Sequence, residues 1–270
     1  MKKSRRFMLF ALTFCCIQLK ASEGIDLEQQ RNKRNLAVFL DSEVDDIASV
    51  YAVINAYKQG LLGEIIIVVT GYKTEASAQL VRNHLILSGI CAIPVYAGTT
   101  LEKIAEQEVQ AIASAVTFDQ KANYVREMEL HISPEHIETY QQSVTFSNAQ
   151  DAIFDFFTRN TNIYLLCLTA VTDIVPVLRN KDLSKHIHSI HMTGGFRVER
   201  EEDKTVNVST FNHNMDINSS CEFFDLCQNP GVSFDIYLYS THNMPGMIPA
   251  LDHIRYPVFL LNLKEKRRQQ

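Results

Sequence analysis

Short apolar runs alternate with segments of helical periodicity along most of the chain. The runs are continuously hydrophobic, as in strands buried on both faces, and they lie at residues 36–40, 64–69, 93–96, 163–168, 186–192 and 233–239. In between, apolar residues recur every three or four positions, at about 45–58, 75–88, 148–159, 172–180 and 217–228. This alternation predicts βαβ units, and therefore an α/β fold with an open, mostly parallel sheet flanked by helices.

The length is that of a single domain. The chain has 270 residues, of which 46% are hydrophobic, and its glycines and prolines are scattered rather than gathered into a linker. A chain of this size can bury one sizeable core. The alternation is less regular between about 99 and 147. We predict one domain over residues 36–270.

The first 21 residues have the composition of an export signal. Residues 1–6 are basic, residues 7–19 are apolar, and Leu19-Lys20-Ala21 is an imperfect small-residue cleavage site. The apolar stretch is shorter than the roughly 20 residues that a membrane-spanning helix needs, so a membrane anchor is the weaker alternative. We predict a signal peptide at residues 1–21, an exported protein that is periplasmic or secreted, and no stable membrane insertion after signal removal.

The charge balance argues against nucleic acid as a partner. The formal net charge is −5, and residues 1–21 contain five basic residues and no acidic one, so their removal lowers it to −10. An acidic protein is repelled by polyanions. We therefore expect no nucleic acid partner.

The turn after the first predicted strand carries a dense group of acids. Residues 41–46 read Asp-Ser-Glu-Val-Asp-Asp and lie between an apolar run and a helical pattern. Acids in a first helical turn can simply cap amides and offset the helix dipole, worth about 0.3–1 kcal/mol each. Four acids this close also repel one another, and a hard cation such as Ca²⁺ or Mg²⁺ offsets that repulsion with oxygen ligands. Metal binding is the favoured interpretation, and capping is the alternative.

At this turn the chain resembles the inosine–uridine-preferring nucleoside hydrolase family, whose first strand ends in Asp-x-Asp-Pro-Gly-x-Asp-Asp. Asp41 matches the second aspartate of the motif and Asp45 and Asp46 its last pair, while Ser42 and Glu43 replace Pro-Gly. Four further blocks are similar to the family in the same order, at residues 68–98, 166–173, 191–195 and 211–216. The resemblance implies a nucleoside hydrolase-like fold with a Rossmann-like core.

The resemblance also implies an activity in purine and pyrimidine nucleoside catabolism. Such an enzyme is a glycosidase: it hydrolyses the N-glycosidic bond of ribonucleosides to ribose and free base, with a water activated by Ca²⁺. By matched position, Asp41 is the general base and a calcium ligand, Asp46 is a bidentate calcium ligand, and the Thr172 backbone carbonyl is a third ligand.

Four more residues match substrate-binding positions of the family. They are Asp45, which accepts a ribose hydroxyl, Asn212 and Asn207, which bond the ribose, and Met192, which lines the pocket. From residue type alone, an Asn near a strand end more often caps a turn, and a Met more often fills the core.

Two departures from the family favour a second interpretation. Thr210 replaces the glutamate of Glu-Phe-Asn, which removes a carboxylate expected to hold the 5′ hydroxyl. The chain ends at Gln270, and the reversed pair Asp252-His253 is the nearest counterpart of a C-terminal His-Asp pair that completes the calcium shell. The alternative is therefore a catalytically impaired or truncated homologue that binds nucleoside or ribose. Because the family forms dimers and tetramers, a homo-oligomer is expected.

Overall fold

A sheet of six parallel strands forms the centre of the structure. The structure is a computed structural model, and it describes residues 33–42, 44–101, 134–135, 138, 140, 147–193, 196–198, 206–208, 211–228 and 234–239. In the order in which they lie side by side, the strands are β3 (Val95–Thr100), β2 (Leu62–Gly71), β1 (Arg34–Leu40), β4 (Ile163–Cys167), β5 (Ile187–Thr193) and β8 (Asp235–Tyr239). Two short strands, β6 (Phe196–Val198) and β7 (Val206–Val208), form a separate antiparallel pair.

Helices connect the strands of this sheet. They are α1 (Val44–Lys58), α2 (Thr74–Leu87), α3 (Ala149–Arg159), α4 (Val175–Arg179), α5 (Lys181–Ser184), α6 (Phe211–Asn214) and α7 (Ile217–Cys227). Side-chain caps start three of them: Asn148 accepts a hydrogen bond from the Asp151 amide at 2.8 Å, Asn180 accepts one from the Asp182 amide at 3.0 Å, and Asp216 accepts one from the Ser219 amide at 3.0 Å. Each cap satisfies an amide that the first turn leaves unpaired, which is worth about 1 kcal/mol.

The sheet is buried on both faces, as its continuous apolar strands predict. Along β1, Phe39 packs on one face with residues of α3, α4 and α7, while Val38 and Leu40 pack on the other with residues of α1 and α2. All three side chains are 0 or 1% exposed. Burying an aliphatic or aromatic side chain contributes about 1.5–3 kcal/mol, so these two cores hold the central strand in place from both sides.

The strand order contains a reversal beside β1. The chain proceeds outward from β1 through β2 to β3, then returns to the other side of β1 and proceeds through β4 and β5 to β8. In an open α/β sheet, the connections on the two sides of such a reversal lie on opposite faces, which leaves a crevice at the carboxyl ends of the central strands. The crevice is where this fold places a functional site.

The fold class predicted from the sequence is confirmed. Each predicted strand overlaps one strand of the main sheet, and the predicted helices overlap α1, α2, α3, α4 and α7. The segment predicted as helical over 172–180 begins its helix only at Val175, because its first residues form a loop at the sheet edge. Most of the irregular stretch at 99–147 lies outside the described residues, as does the predicted signal peptide at 1–21. Among the described helices, none has the length and apolarity to span a bilayer.

Candidate active site

The acidic turn lies at the carboxyl end of β1, as the sequence predicts. Asp46, in the first turn of α1, is 3% exposed, and its Oδ2 accepts hydrogen bonds from the amides of Asp41 at 2.8 Å and Ser42 at 3.0 Å. One carboxylate oxygen therefore stabilises the turn itself, as the capping alternative requires. A cation bound by Asp46 would share Oδ2 with these two amides or bind through Oδ1, so bidentate coordination competes with the turn.

Ser42 adopts a backbone conformation that the resembled motif does not allow at this position. Its φ is 68°, in the left-handed region, whereas the proline of the motif would fix φ near −65°. Among the described residues, the buried Ser42 hydroxyl also has no hydrogen-bond partner. Left-handed backbone in a non-glycine residue and an unpaired buried hydroxyl each cost about 1–3 kcal/mol. The turn is therefore built differently from the family turn, at a local cost.

Four segments of the chain converge beside Asp41. Gly71, at the end of β2, has φ 126°, and a Cβ on it would lie 3.4 Å from Asp41 Cβ, 3.8 Å from Thr169 Oγ1 and 3.9 Å from Met215 Cε. A side chain at Gly71 would thus occupy the space between the acidic turn, the loop after β4 and the segment joining α6 to α7. Glycine adopts this positive φ without strain and lets the three segments approach one another closely.

The loop after β4, residues 168–173, is anchored at each end. The Leu168 amide donates to the Phe39 carbonyl at 2.7 Å, and the Thr169 hydroxyl donates to the Thr70 carbonyl at 3.1 Å. At its far end, Asp173 is 5% exposed and accepts a hydrogen bond from the Thr70 hydroxyl at 2.5 Å. The loop is therefore fixed along the carboxyl ends of β1 and β2.

The predicted ligand Thr172 belongs to this loop, and Asp216 holds its side chain. Thr172 Oγ1 donates to Asp216 Oδ2 at 2.8 Å, while Asp216 Oδ1 accepts from the Ser219 amide. Burial opposes ionisation of Asp216, but hydrogen bonds from Ser219, Thr172 and the Asn218 amide outweigh it and lower the pKa of the carboxyl below its usual value. Asp216 thus stays charged while it links α7 to the loop.

Asn212 joins the ends of β4 and β5. Its side-chain amide donates to the Leu168 carbonyl at 2.7 Å and to the Thr193 hydroxyl at 3.1 Å. Both bonds start from Nδ2, and Oδ1 makes no hydrogen bond within the described part of the chain. Asn212 therefore offers an acceptor for a ligand hydroxyl while its amide fixes the orientation of the side chain.

The other predicted substrate-binding residues are not brought to the site by described contacts. Met192 is 0% exposed and packs in the core on the α3 and α7 face, so its contact with a substrate stays a prediction. The side chains of Asp45 and Asn207 lie outside the described residues, as do Glu43 and Thr210 in full.

The donors at the site suit a hard cation but do not make a complete set among the described residues. Within that part of the chain, no three His, Cys, Asp or Glu side chains are placed to hold a metal together. Asp41 and Asp46 supply carboxylates at the turn, and the Thr169 hydroxyl lies beside Gly71. Oxygen donors of this kind favour Ca²⁺ or Mg²⁺ over softer metals, and substrate or water oxygens would complete the shell.

Sequence reasoning did not assign site roles to Ser42, Asp173 and Asp216. Asp216 had a readable signal, since an aspartate directly before an apolar helical pattern is a preferred N-cap. The partners of Asp173 are 74 and 103 residues away, which no local pattern shows. Ser42 becomes unusual only through its dihedral angle and burial.

Solved structures share this architecture at low sequence identity. An inosine–uridine preferring nucleoside hydrolase from Bacillus anthracis aligns with a TM-score of 0.51 and 13% identity over 87% of this chain and 72% of that chain. A plant nucleoside hydrolase, PpNRh1, aligns at 0.49 and 16%, and the effector protein XOO4466 at 0.48 and 16%; each alignment covers 78% of this chain. This chain spans 61% and 58% of those two proteins.

The likeness supports the nucleoside hydrolase-like fold and nothing finer. No protein-family profile matches the sequence, and no curated protein matches it significantly.

Proposed function

We propose that this protein hydrolyses the N-glycosidic bond of ribonucleosides, releasing ribose and the free base. The observation that carries the proposal is the convergence of Asp41 with Gly71, Thr169 and Met215 at the carboxyl edge of the sheet. The proposed ligand space lies next to the Asp41 carboxylate, among hydroxyl, carbonyl and amide groups of the neighbouring strand ends. These are the groups needed to bind a polyol and to deprotonate a water beside it.

In this proposal Asp41 is the general base. It accepts a proton from a water whose oxygen forms a bond to the anomeric carbon. At the same time the bond between the anomeric carbon and the nitrogen breaks, and its electron pair leaves with the nucleobase, which takes up a proton. Met215, buried next to Gly71, excludes bulk water from one side of the space. A bound water is then held in one orientation rather than exchanging freely.

The proposed ribose contacts come from three separate segments of the chain. Asn212 presents Oδ1 to a sugar hydroxyl, and Asp45 and Asn207 are proposed as further ribose contacts on the basis of the sequence resemblance. Met192 remains proposed as a pocket residue behind them. Because Asn212 is itself fixed by Leu168 and Thr193, it loses little side-chain entropy when a ligand binds.

A calcium ion is proposed as the cofactor, held by Asp41, Asp46 and the Thr172 carbonyl. When bound, Ca²⁺ would lower the pKa of a coordinated water and organise the sugar hydroxyls. Thr172 suits this role because Asp216 and the loop anchors restrict its movement.

A second candidate function is binding of nucleoside or ribose without turnover. Its support is the use of Asp46 Oδ2 by two backbone amides, which competes with metal coordination, together with Thr210 in place of a glutamate. Such a protein would keep the sugar contacts of Asn212 and lose the activated water.

One experiment separates the two functions. Purified protein without residues 1–21 is incubated with inosine, uridine or adenosine, with and without Ca²⁺, and free ribose is assayed; binding of the same nucleosides is measured by calorimetry. Calcium-dependent ribose release supports hydrolysis. Nucleoside binding without ribose release supports the second candidate, and neither result would reject both.

Export and self-association are also proposals. The basic and apolar composition of residues 1–21 supports export to the periplasm or the medium. Mass determination of protein recovered from those compartments tests it, and an intact Met1 in the exported form would reject it. Light scattering of the same material measures whether the protein forms the expected homo-oligomer.

A further inference from the structure

The carboxylate of Asp173 connects three strand ends that are far apart in the sequence. Besides the bond from the Thr70 hydroxyl at the end of β2, it accepts two bonds from Thr99 in β3. The Thr99 hydroxyl donates to Oδ1 at 2.6 Å and the Thr99 amide donates to Oδ2 at 3.0 Å. Asp173 itself follows β4, so one buried side chain joins β2, β3 and the loop after β4.

The strand order determines the path of the loop that Asp173 holds. Strand β1 lies between β4 and β2, so the loop after β4 must pass across the carboxyl end of β1 for Asp173 to reach Thr70 and Thr99. Asp41 directly follows that end of β1. The crossing loop passes Asp41 with Thr169 and Thr172, and Asp173 holds the far end of this loop.

The contact suits a carboxylate. In the structure all three groups donate, and a carboxylate accepts from each of them, whereas an asparagine would accept on one oxygen only and would need a threonine hydroxyl to accept from its NH₂ group. The surroundings of the Asp173 carboxylate are also tightly packed, since a Cβ on Gly98 would overlap Asp173 Oδ2 and lie 2.9 Å from Val68 Cγ1.

We infer that Asp173 is a positioning residue that holds the Thr172 carbonyl at the metal-binding position beside Asp41. The inference rests on the proposed calcium site. Thr172 is fixed on both sides, through its neighbour Asp173 to β2 and β3 and through its own hydroxyl to Asp216 on α7. Without the Asp173 contact, this end of the loop is free to move, and the Thr172 carbonyl then spends less time in the metal-binding position.

Calcium calorimetry and thermal unfolding of the calcium-free protein test the inference with a small set of variants. Asp173→Asn alters the acceptor, Thr99→Val removes one donor hydroxyl, and Thr99→Ser restores it. Asn160→Ala is the control: Asn160 is buried at the opposite, amino edge of the sheet, where its side-chain amide donates to Phe156 and Glu64. It should lower the melting temperature without reaching the site.

We expect Asp173→Asn to weaken calcium affinity about tenfold or more, because hydrogen bonds to a charged group are the strong ones, and Thr99→Val to weaken it several-fold. Thr99→Ser should bind like the wild type, and Asn160→Ala should bind within about twofold of it at a reduced melting temperature. Unchanged affinity in Asp173→Asn and Thr99→Val overturns the positioning role. Affinity losses that follow melting temperature in all variants, Asn160→Ala included, overturn it as well. A wild type that binds no calcium would instead reject the proposed metal site, and the inference with it.

Discussion

The two edges of the sheet use similar polar residues in opposite ways. At the amino edge, Glu64 pairs with Arg159 at 2.9 Å, and both side chains are about half exposed, at 53% and 52%. At the carboxyl edge, Asp46 and Asp173 are almost fully buried and accept hydrogen bonds from the chain itself. Exposed pairs contribute little because water competes for them, whereas a buried carboxylate must have every partner in place.

The difference bears on the proposed site. At the amino edge, polar groups close the strand ends, as when Asn35 accepts from the Glu64 amide and donates to the Thr161 carbonyl. At the carboxyl edge, the chain tolerates a left-handed serine at Ser42, whose buried hydroxyl has no hydrogen-bond partner among the described residues. Local costs of this kind cluster at functional sites, which supports the proposed site at the carboxyl edge.

The largest expected effect is on ribose release, which a substitution at the carboxyl edge should reduce and one at the amino edge should not. Asp41→Asn should reduce ribose release by about 10²–10⁴-fold, because it removes the proposed general base. Glu64→Gln, the same change at the amino edge, should retain wild-type turnover. Assays with inosine in the presence of Ca²⁺ measure both, and robust turnover by Asp41→Asn would remove the mechanism.

The next effect concerns stability. Asp173→Ala leaves the donors of Thr70 and Thr99 without their acceptor, so the free energy of unfolding should fall by about 2–4 kcal/mol. Urea denaturation measures the change. A loss below about 0.5 kcal/mol would mean that the buried carboxylate is no more important to folding than a surface pair.

A pH dependence should follow from two buried histidines. Burial lowers the pKa of His191 to about 4, with smaller contributions from the nearby charges of His188 and Arg34, and burial lowers the pKa of His213 to about 4. As the pH falls, the unfolded chain binds protons on these two histidines near pH 6.5, whereas the folded protein binds them only near pH 4. The free energy of unfolding is therefore highest above about pH 6.5 and decreases as the pH falls toward 4.

The effect should be on the order of 3 kcal/mol for each histidine, at about 1.4 kcal/mol per pKa unit, measured as unfolding free energy against pH. His191→Gln should flatten the dependence over this range. An equally steep dependence in that variant would show that other groups cause it.

Ser42→Gly should stabilise the protein by about 1 kcal/mol. Glycine adopts positive φ without strain, and the substitution also removes the buried, unpaired hydroxyl. Ser42→Ala separates the two contributions, because it removes the hydroxyl and keeps the strain. Thermal unfolding of both variants gives the measurement, and destabilisation by Ser42→Gly would contradict the local cost described at this turn.

The smallest effect belongs to the amino edge. Arg159→Ala removes exposed contacts with Glu64 and Asp155 and should change the free energy of unfolding by about 0.2–1 kcal/mol. Urea denaturation in low and high salt measures it, with a smaller effect expected in high salt because exposed charges are screened. A loss as large as that of Asp173→Ala would remove the distinction between the two edges.

Much of the fold was readable from the sequence because its signals are local. The continuous run before Asp41 predicted a central buried strand, and the spacing of apolar residues after it predicted α1. The acidic turn was placed correctly for the same reason, since a strand end and a helix start adjoin it directly. The role of Met192 stays a prediction: its motif position suggests a pocket, and in the structure its side chain is fully buried.

The sequence by itself determined the alternation of strands and helices, the parallel sheet and the position of the acids at a strand end, because hydrophobic periodicity and turn composition depend on neighbouring residues. Only the tertiary structure decided that Asp46 stabilises its own turn, that Asp173 reaches across β1 to Thr70 and Thr99, and that Asn212 joins the ends of β4 and β5. These contacts depend on strand order and on which donors are buried together, and they arise only when distant segments pack.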